Sequence, residues 1–288
     1  MLPIYKRELA SCYKGFTGYL IALPLLVMGG LYTWVYCYLQ GTTAFFAALS
    51  SLRIVLVLVI PVLTMRVMSG EKRRHTDQLL YSLPVSMADV VLGKYLAMVT
   101  VLALPLAVLG LYPLPILRYA ALPIGLTYAN LLAFWLLGCA LIAMGQFISS
   151  CTENQTAALL LSLLFILLNF FLTALATLVS SDANSSFFAL VAAALAAGAL
   201  LWTLTKNFVA SGTFSMLVVA ALSLLRIFRA ELFSGLFARV MNALCLFSRT
   251  ESFQNGIFDL SALIYYLAVS AVFLFLSVQS MEKRRWHG

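Results

Sequence analysis

Residues able to do chemistry are few in this sequence, and they do not converge. There are two histidines, His75 in a basic stretch and His287 next to the end. Neither has a His or Cys partner at metal-ligand spacing, so both read as solvated side chains. The five cysteines, Cys12, Cys37, Cys139, Cys151 and Cys245, show no C-x-x-C spacing and read as free thiols. No H-E-x-x-H or G-x-S-x-G occurs. Gly93-Lys94 matches the Gly-Lys pair of a phosphate loop without its earlier glycine, and residue 95 is Tyr where Ser or Thr is needed. The chain is therefore expected to bind no metal, to bind no ATP by that route, and not to be an enzyme.

Composition explains the scarcity. Of 288 residues, 63% are hydrophobic and 10% charged, and the mean hydropathy is +1.02. Soluble domains carry about 25% charged residues, so a water-soluble enzyme, a disordered chain and a collagen-like fibre are all excluded. Long apolar runs such as Leu159–Leu168 and Leu190–Leu201 exclude the alternating pattern of an outer-membrane barrel. What remains is an all-α, multi-pass integral membrane protein with no room for a sizeable soluble domain. The net charge of +8 then points to cytoplasmic loops and anionic membrane lipid, not to nucleic acid. No basic-aromatic sheet or zinc-finger spacing supports a nucleic-acid partner.

Residues 3–16 place Tyr5, Leu9, Cys12, Tyr13 and Phe16 on one helical face, away from Lys6, Arg7 and Lys14. This predicts an amphipathic helix along the membrane surface; a plain polar lead-in is the alternative. The apolar run 17–39 exceeds the ~7–15 residues of a signal peptide's apolar core, so it reads as a retained first span. Further spans are expected at 52–70, 90–113, 128–149, 156–179, 186–205, 209–227 and 259–280, about eight in all. Pro105, Pro113 and Pro115 should kink or end the third. The segment 184–227 is either an inserted hairpin of two spans or re-entrant structure, giving eight spans or six. With the N-terminus inside, Lys and Arg divide twelve to six in favour of the inner side. That division places Arg53, Arg118, Arg226, Arg229, Arg239 and Arg249 outside. The basic clusters at both ends put both termini in the cytoplasm, which demands an even number of spans. Residues 228–247 carry an apolar stripe of Phe228, Leu232, Phe233, Leu236, Phe237, Val240 and Leu244. They predict an amphipathic helix on the outer surface.

None of the ten acidic residues falls in the middle of a predicted span. Arg66, near a span's inner end, is the one charge expected inside a helix. A proton- or sodium-coupled carrier keeps acids at the midplane, and an intramembrane protease needs a catalytic dyad there. Anything that crosses would draw its energy from a partner outside the bilayer. Asn130, Gln146, Ser162 and Asn169 could line a path, although single polar residues in spans more often join helices.

The most specific segment is 65–97. A span runs into the charged stretch Glu71, Lys72, Arg73, Arg74, His75, Thr76 and Asp77. Leu79, Leu80 and Leu83 then form an apolar edge, Pro84 stops the helix, and the next span begins after Asp89. Two readings fit equally: a short cytoplasmic helix able to take a push from a soluble partner, or an ordinary solvated loop.

Glu71, Thr76, Leu79, Leu80, Pro84, Val85, Ser86, Gly93 and Lys94 resemble the pattern of the ABC type 2 permeases, the membrane subunits of ATP-driven exporters. His75 stands where that family usually has Gly. Ser149-Ser150-Cys151-Thr152-Glu153-Asn154-Gln155 looks like the family's second cytoplasmic connection. Residues 253–260, with the final Glu282-Lys283-Arg284-Arg285-Trp286, are similar to a branch related to gliding-motility permeases.

The resemblance implies one transmembrane permease domain over 1–288, with an amphipathic connecting helix at 3–16 and a coupling helix at 71–83. The coupling helix would dock on a separate ABC ATPase subunit through Glu71, Arg73, Arg74, Thr76, Asp77, Leu79, Leu80, Leu83 and Pro84. Glu153, Asn154 and Gln155 would form a second contact. Two permeases, identical or homologous, would pair with two ATPases in the cytoplasmic membrane of a prokaryote. ATP and Mg would be bound by the partner and not by this chain. A non-transporting subunit of such a complex, or an ion-coupled secondary carrier, are the competing readings.

Overall fold

A computed structural model describes residues 1–41, 45–73, 86–118, 123–178, 182–205, 208–228, 235–254 and 258–287. Among these residues every regular element is a helix. In chain order they are α1 Leu2–Lys14, α2 Thr17–Thr33, α3 Phe45–Thr64, α4 Ser69–Arg73, α5 Met87–Leu109, α6 Ile124–Cys151, α7 Gln155–Leu178, α8 Ala183–Thr205, α9 Phe208–Phe228, α10 Leu236–Leu244, α11 Glu251–Gln254 and α12 Leu260–His287. A π-helical segment, Trp34–Leu39, prolongs α2. Six segments among the described residues are long and apolar enough to cross a membrane: Thr17–Leu39, Phe45–Thr64, Met87–Leu109, Ile124–Cys151, Gln155–Leu178 and Leu260–Lys283. The chain is thus a multi-pass membrane protein of helical class.

Two compact units divide the chain, Met1–Leu167 with Arg249–Gly288, and Leu168–Ser248. In the first, α6 packs against α3, α5 and α12, while α2 packs on α3 and α5. Glycines allow these close approaches. A Cβ at Gly145 on α6 would overlap the side chain of Thr64 on α3, and one at Gly138 would overlap Leu102 on α5. Without a hydrophobic force between helices in lipid, such small-residue contacts let dispersion between backbones hold the bundle. At one end a core of Met68, Met87, Val91, Ala143, Leu274 and Met281 closes the helices together.

Helix α1 lies against α5. Tyr5 and Thr100 share a hydrogen bond of 3.1 Å, and a Cβ at Gly93 would sit 3.3 Å from Ile4. Its expected apolar stripe is the half-buried side except at Phe16, and Lys6, Arg7 and Lys14 face outward. Phe16, at φ 64°, turns the chain from α1 into α2 through the left-handed region. On α1, burial and then the charge of Glu8 push the Cys12 thiol above its ordinary value.

Several boundaries differ from expectation. Helix α3 begins at Phe45, seven residues before the predicted span, and ends at Thr64. Arg53, expected at the outer end of this span, is therefore the ninth residue of the helix, whereas Arg66, expected inside the helix, lies in the turn beyond it. Pro105 sits inside α5. Pro113 and Pro115 follow the end of that helix, in turns that lead to the 3-10 turn Ile116–Arg118.

In the second unit, α8 and α9 pack on each other, and α10 packs on α8. Within the predicted helix 228–247 the structure describes a helix over Leu236–Leu244, preceded by Gly235 at φ 67°, a conformation glycine adopts without a Cβ penalty. Residues 229–234 lie outside the described residues. Phe237 and Met241 of α10 are buried with Ala176 and Leu190, so part of the stripe faces protein.

Helix α12 begins with a side-chain cap. The Asp259 carboxylate accepts hydrogen bonds from the Ser261 amide (2.9 Å) and hydroxyl (2.6 Å). The Ser261 hydroxyl is the main cause holding the Asp259 carboxyl below its ordinary value.

Candidate functional site

A polar junction in the first unit lies where α3 gives way to α4. A helix leaves its first four N–H and last four C=O groups without intrahelical partners, and here several are satisfied by other elements. The Ser149 hydroxyl oxygen, at the end of α6, accepts from the amides of Met68 (3.3 Å) and Ser69 (3.2 Å). It thereby caps the start of α4 from a residue 80 positions away. In return, the Lys72 ammonium of α4 donates to the Ser150 carbonyl. The Ser280 hydroxyl of α12 donates to that carbonyl at 3.3 Å. The Thr152 hydroxyl covers Ile148 at 3.2 Å.

Helix α5 supplies the other wall. It is capped by Ser86, whose hydroxyl accepts from the Asp89 amide at 3.1 Å. Lys94, two turns on, is 1% exposed. Its ammonium donates to the Val67 carbonyl at 2.7 Å and lies 4.0 Å from the Glu8 carboxylate of α1. A buried cation is costly unless paired, and these groups compensate it while tying α1 and α5 to the turn after α3. Gln146 on α6 is fully buried and donates to the Val91 carbonyl of α5 at 3.0 Å. Its own oxygen has no hydrogen-bond partner among the described residues.

This junction joins the roots of the two connections that the sequence singled out. Glu71 and Arg73 lie on α4. Arg74, Thr76, Asp77, Leu79, Leu80, Leu83 and Pro84 fall outside the described residues. In the second connection Glu153 and Asn154 are exposed and Gln155 is half-buried. The Asn154 carboxamide oxygen accepts from the Thr156 amide (3.1 Å) and hydroxyl (2.6 Å), capping α7. A Cβ at Gly70 would sit 2.9 Å from the Gln155 amide nitrogen, so the two connections touch.

The four residues considered for a path all make hydrogen bonds. Asn130 donates to Leu126 (2.8 Å) and to Phe253 (2.9 Å). Gln146 joins α6 to α5 as described. Ser162 donates to Leu159 of its own helix at 3.0 Å. In the second unit Asn169 donates to the Leu244 carbonyl and accepts from the Leu246 amide, each at 3.1 Å. Three of the four bind distant backbone, the geometry of helix-joining residues. Sequence reasoning missed Glu8, Lys72 and Ser280, and gave Ser149 and Ser150 no individual role. Their only signal was proximity to motifs read for other reasons.

Among the described residues no cluster of metal-ligating side chains exists, and all five cysteines are free. No curated protein matches the chain. A family model described as ABC-2 family transporter protein matches residues 33–194. The match spans more than half of the chain and contains α3, α4, α5, α6 and the joined connections. On that match, the chain belongs to the ABC-2 family of transporter proteins.

Proposed function

We propose that the chain is the permease subunit of an ATP-driven exporter and that the α3–α5 connection receives force from a separate ABC ATPase. The observation that carries this reading is the joining of both connections by Ser149, Ser150, Lys72 and Gln155. A push on either one reaches α3, α5, α6 and α7 together, because capped helix ends are stiff compared with a solvated loop. In this reading residues 71–83 form the docking helix, and Glu153, Asn154 and Gln155 add a second contact. ATP and Mg are held by the partner, and two permeases work with two ATPases. Asn130, Gln146, Ser162 and Asn169 then act by fixing the path's walls.

The reading places the chain in a prokaryotic cytoplasmic membrane, with the junction and both termini on the cytoplasmic side. It also counts α8 and α9 as two additional spans, eight in all. Their 23 and 21 residues support this, since a helix rises about 1.5 Å per residue and the hydrocarbon core is about 30 Å thick. Helix α10 would then lie at the outer side. A single cysteine in place of Ser185 should react with an impermeant thiol reagent from outside, and one in place of Lys206 only from the cytoplasm. External labelling at position 206 would contradict the eight-span arrangement. The functional part is tested by ATP-dependent flux through the chain reconstituted with its ATPase.

A further inference from the structure

One carbonyl at the junction gathers two helices besides its own. The Ser150 carbonyl, in the last turn of α6, accepts from the Lys72 ammonium of α4 and, at 3.3 Å, from the Ser280 hydroxyl of α12. A carbonyl oxygen has two lone pairs, so it can hold both donors at once. The Cys151 sulfur, one residue on, lies 3.9 Å from the same hydroxyl. Met281, the next residue of α12, is 2% exposed in the core it shares with Met68 of the turn before α4 and with Met87 and Val91 of α5. Methionine side chains repack readily, so this core holds α12 against its neighbours without fixing its register. The Ser280 hydroxyl supplies a directional hold. Ser277, one turn earlier and fully buried, donates instead to the Phe273 carbonyl of its own helix at 2.8 Å. Helix α12 packs on α6 and α5 and lies beyond the residues matched by the family model.

We infer that Ser280 is a positioning residue that makes the end of α12 follow α6 and α4 when the two connections move. This role rests on the coupling reading and extends it to the last span. A displacement of α4 carries Lys72 and, through it, the Ser150 carbonyl. Ser280 follows that oxygen, and α12 moves with α6 as one body. Without the hydroxyl, the methionine core lets α12 lag behind α6. The stroke of the ATPase then reaches α3, α5 and α6 but is partly lost before the last span.

The test uses the full chain with its proposed ABC ATPase partner, in a Cys12→Ser background that leaves Cys151 as the exposed thiol; Cys37, Cys139 and Cys245 are buried. Maleimide labelling of Cys151 is compared in the nucleotide-free complex and in the complex trapped with ATP and vanadate. With Ser280 in place the two rates should agree within about twofold. A neutral hydrogen bond is worth roughly fivefold in an equilibrium. In Ser280→Ala the trapped complex should therefore label at least about threefold faster than the nucleotide-free one, and Ser280→Thr should restore agreement. A residue serving stability alone would change both rates equally. In Ser280→Cys, oxidation by copper phenanthroline should join residues 280 and 151 by a disulfide in the purified chain, without the ATPase. The joined complex should keep ATP hydrolysis within about twofold, because the bond replaces a contact that persists. Absence of the disulfide, Ser280→Ala rates that agree between the two states, or a roughly tenfold fall in hydrolysis that reductant reverses, would each overturn the role. Failure of the wild-type chain to hold any ABC ATPase would overturn the coupling reading and this role with it, and is told apart by a disulfide that still forms.

Discussion

Replacing Leu79 and Leu80 with Asp should abolish co-purification of the ATPase while leaving the permease folded and inserted. Burying a leucine side chain contributes about 1.5–3 kcal/mol. Two such losses amount to about 3–6 kcal/mol, or roughly two to four orders of magnitude in affinity. Placing two carboxylates in a desolvated interface adds to the loss. Insertion should be unaffected, because the change lies between α4 and α5, outside every spanning helix. Arg239→Asp, on the exposed face of α10, adds a carboxylate away from the docking helix and should leave co-purification unchanged. Unchanged co-purification in the double leucine variant would contradict the docking assignment.

The second large effect is expected at Lys94. Its ammonium is the group that ties the turn after α3 to α5 and, through Glu8, to α1. Lys94→Met keeps the apolar stem and removes the donor. A hydrogen bond to a charged group contributes about 1.5–3 kcal/mol, which is roughly ten- to a hundredfold in a two-state equilibrium. The docking residues are untouched, so the ATPase should still co-purify and hydrolyse ATP. Flux per ATP hydrolysed should fall about tenfold or more, and Lys94→Arg should recover much of it. A variant with unchanged flux per ATP would show that this link does not carry force.

The apolar runs made the spanning helices legible, because a bilayer demands about twenty apolar residues and little else supplies them. The expected span begins at residue 52 and so contains Arg53, but it leaves out Phe45–Ser51, with which α3 begins. In the fold Arg53 stands beside Asn130, Thr250 and Gln254 as well as the apolar Phe46, Leu49 and Phe134. At its C-terminal end α10 stops at Leu244, three residues before the expected 247, where Cys245 takes an extended backbone. Apolar spacing in the sequence runs through Gly235, whose backbone is left-handed immediately before α10.

The candidate site was legible only as two separate motifs. What joins them is ordinary in composition: serine hydroxyls, a lysine, and a glycine whose missing Cβ leaves space for Gln155. Ser149 reaches amides 80 and 81 positions away, and no local pattern encodes such a pairing. Lys94 illustrates the same point. As part of a Gly-Lys pair it invited comparison with a phosphate loop, yet in the fold its ammonium is directed to a backbone carbonyl and a carboxylate within the protein. Gln146 could have lined a path by type alone, and only the packing of α6 on α5 shows it spanning two helices.

The central claim is that this chain is a conduit moved by a motor it does not contain. The direct measurement is ATP-dependent efflux from proteoliposomes of the purified chain, with and without its proposed ABC ATPase partner. The account predicts flux and hydrolysis only when both proteins are present, with both abolished by Leu79→Asp/Leu80→Asp. Uphill flux by the chain alone, or full flux by the double variant with the ATPase, would contradict it.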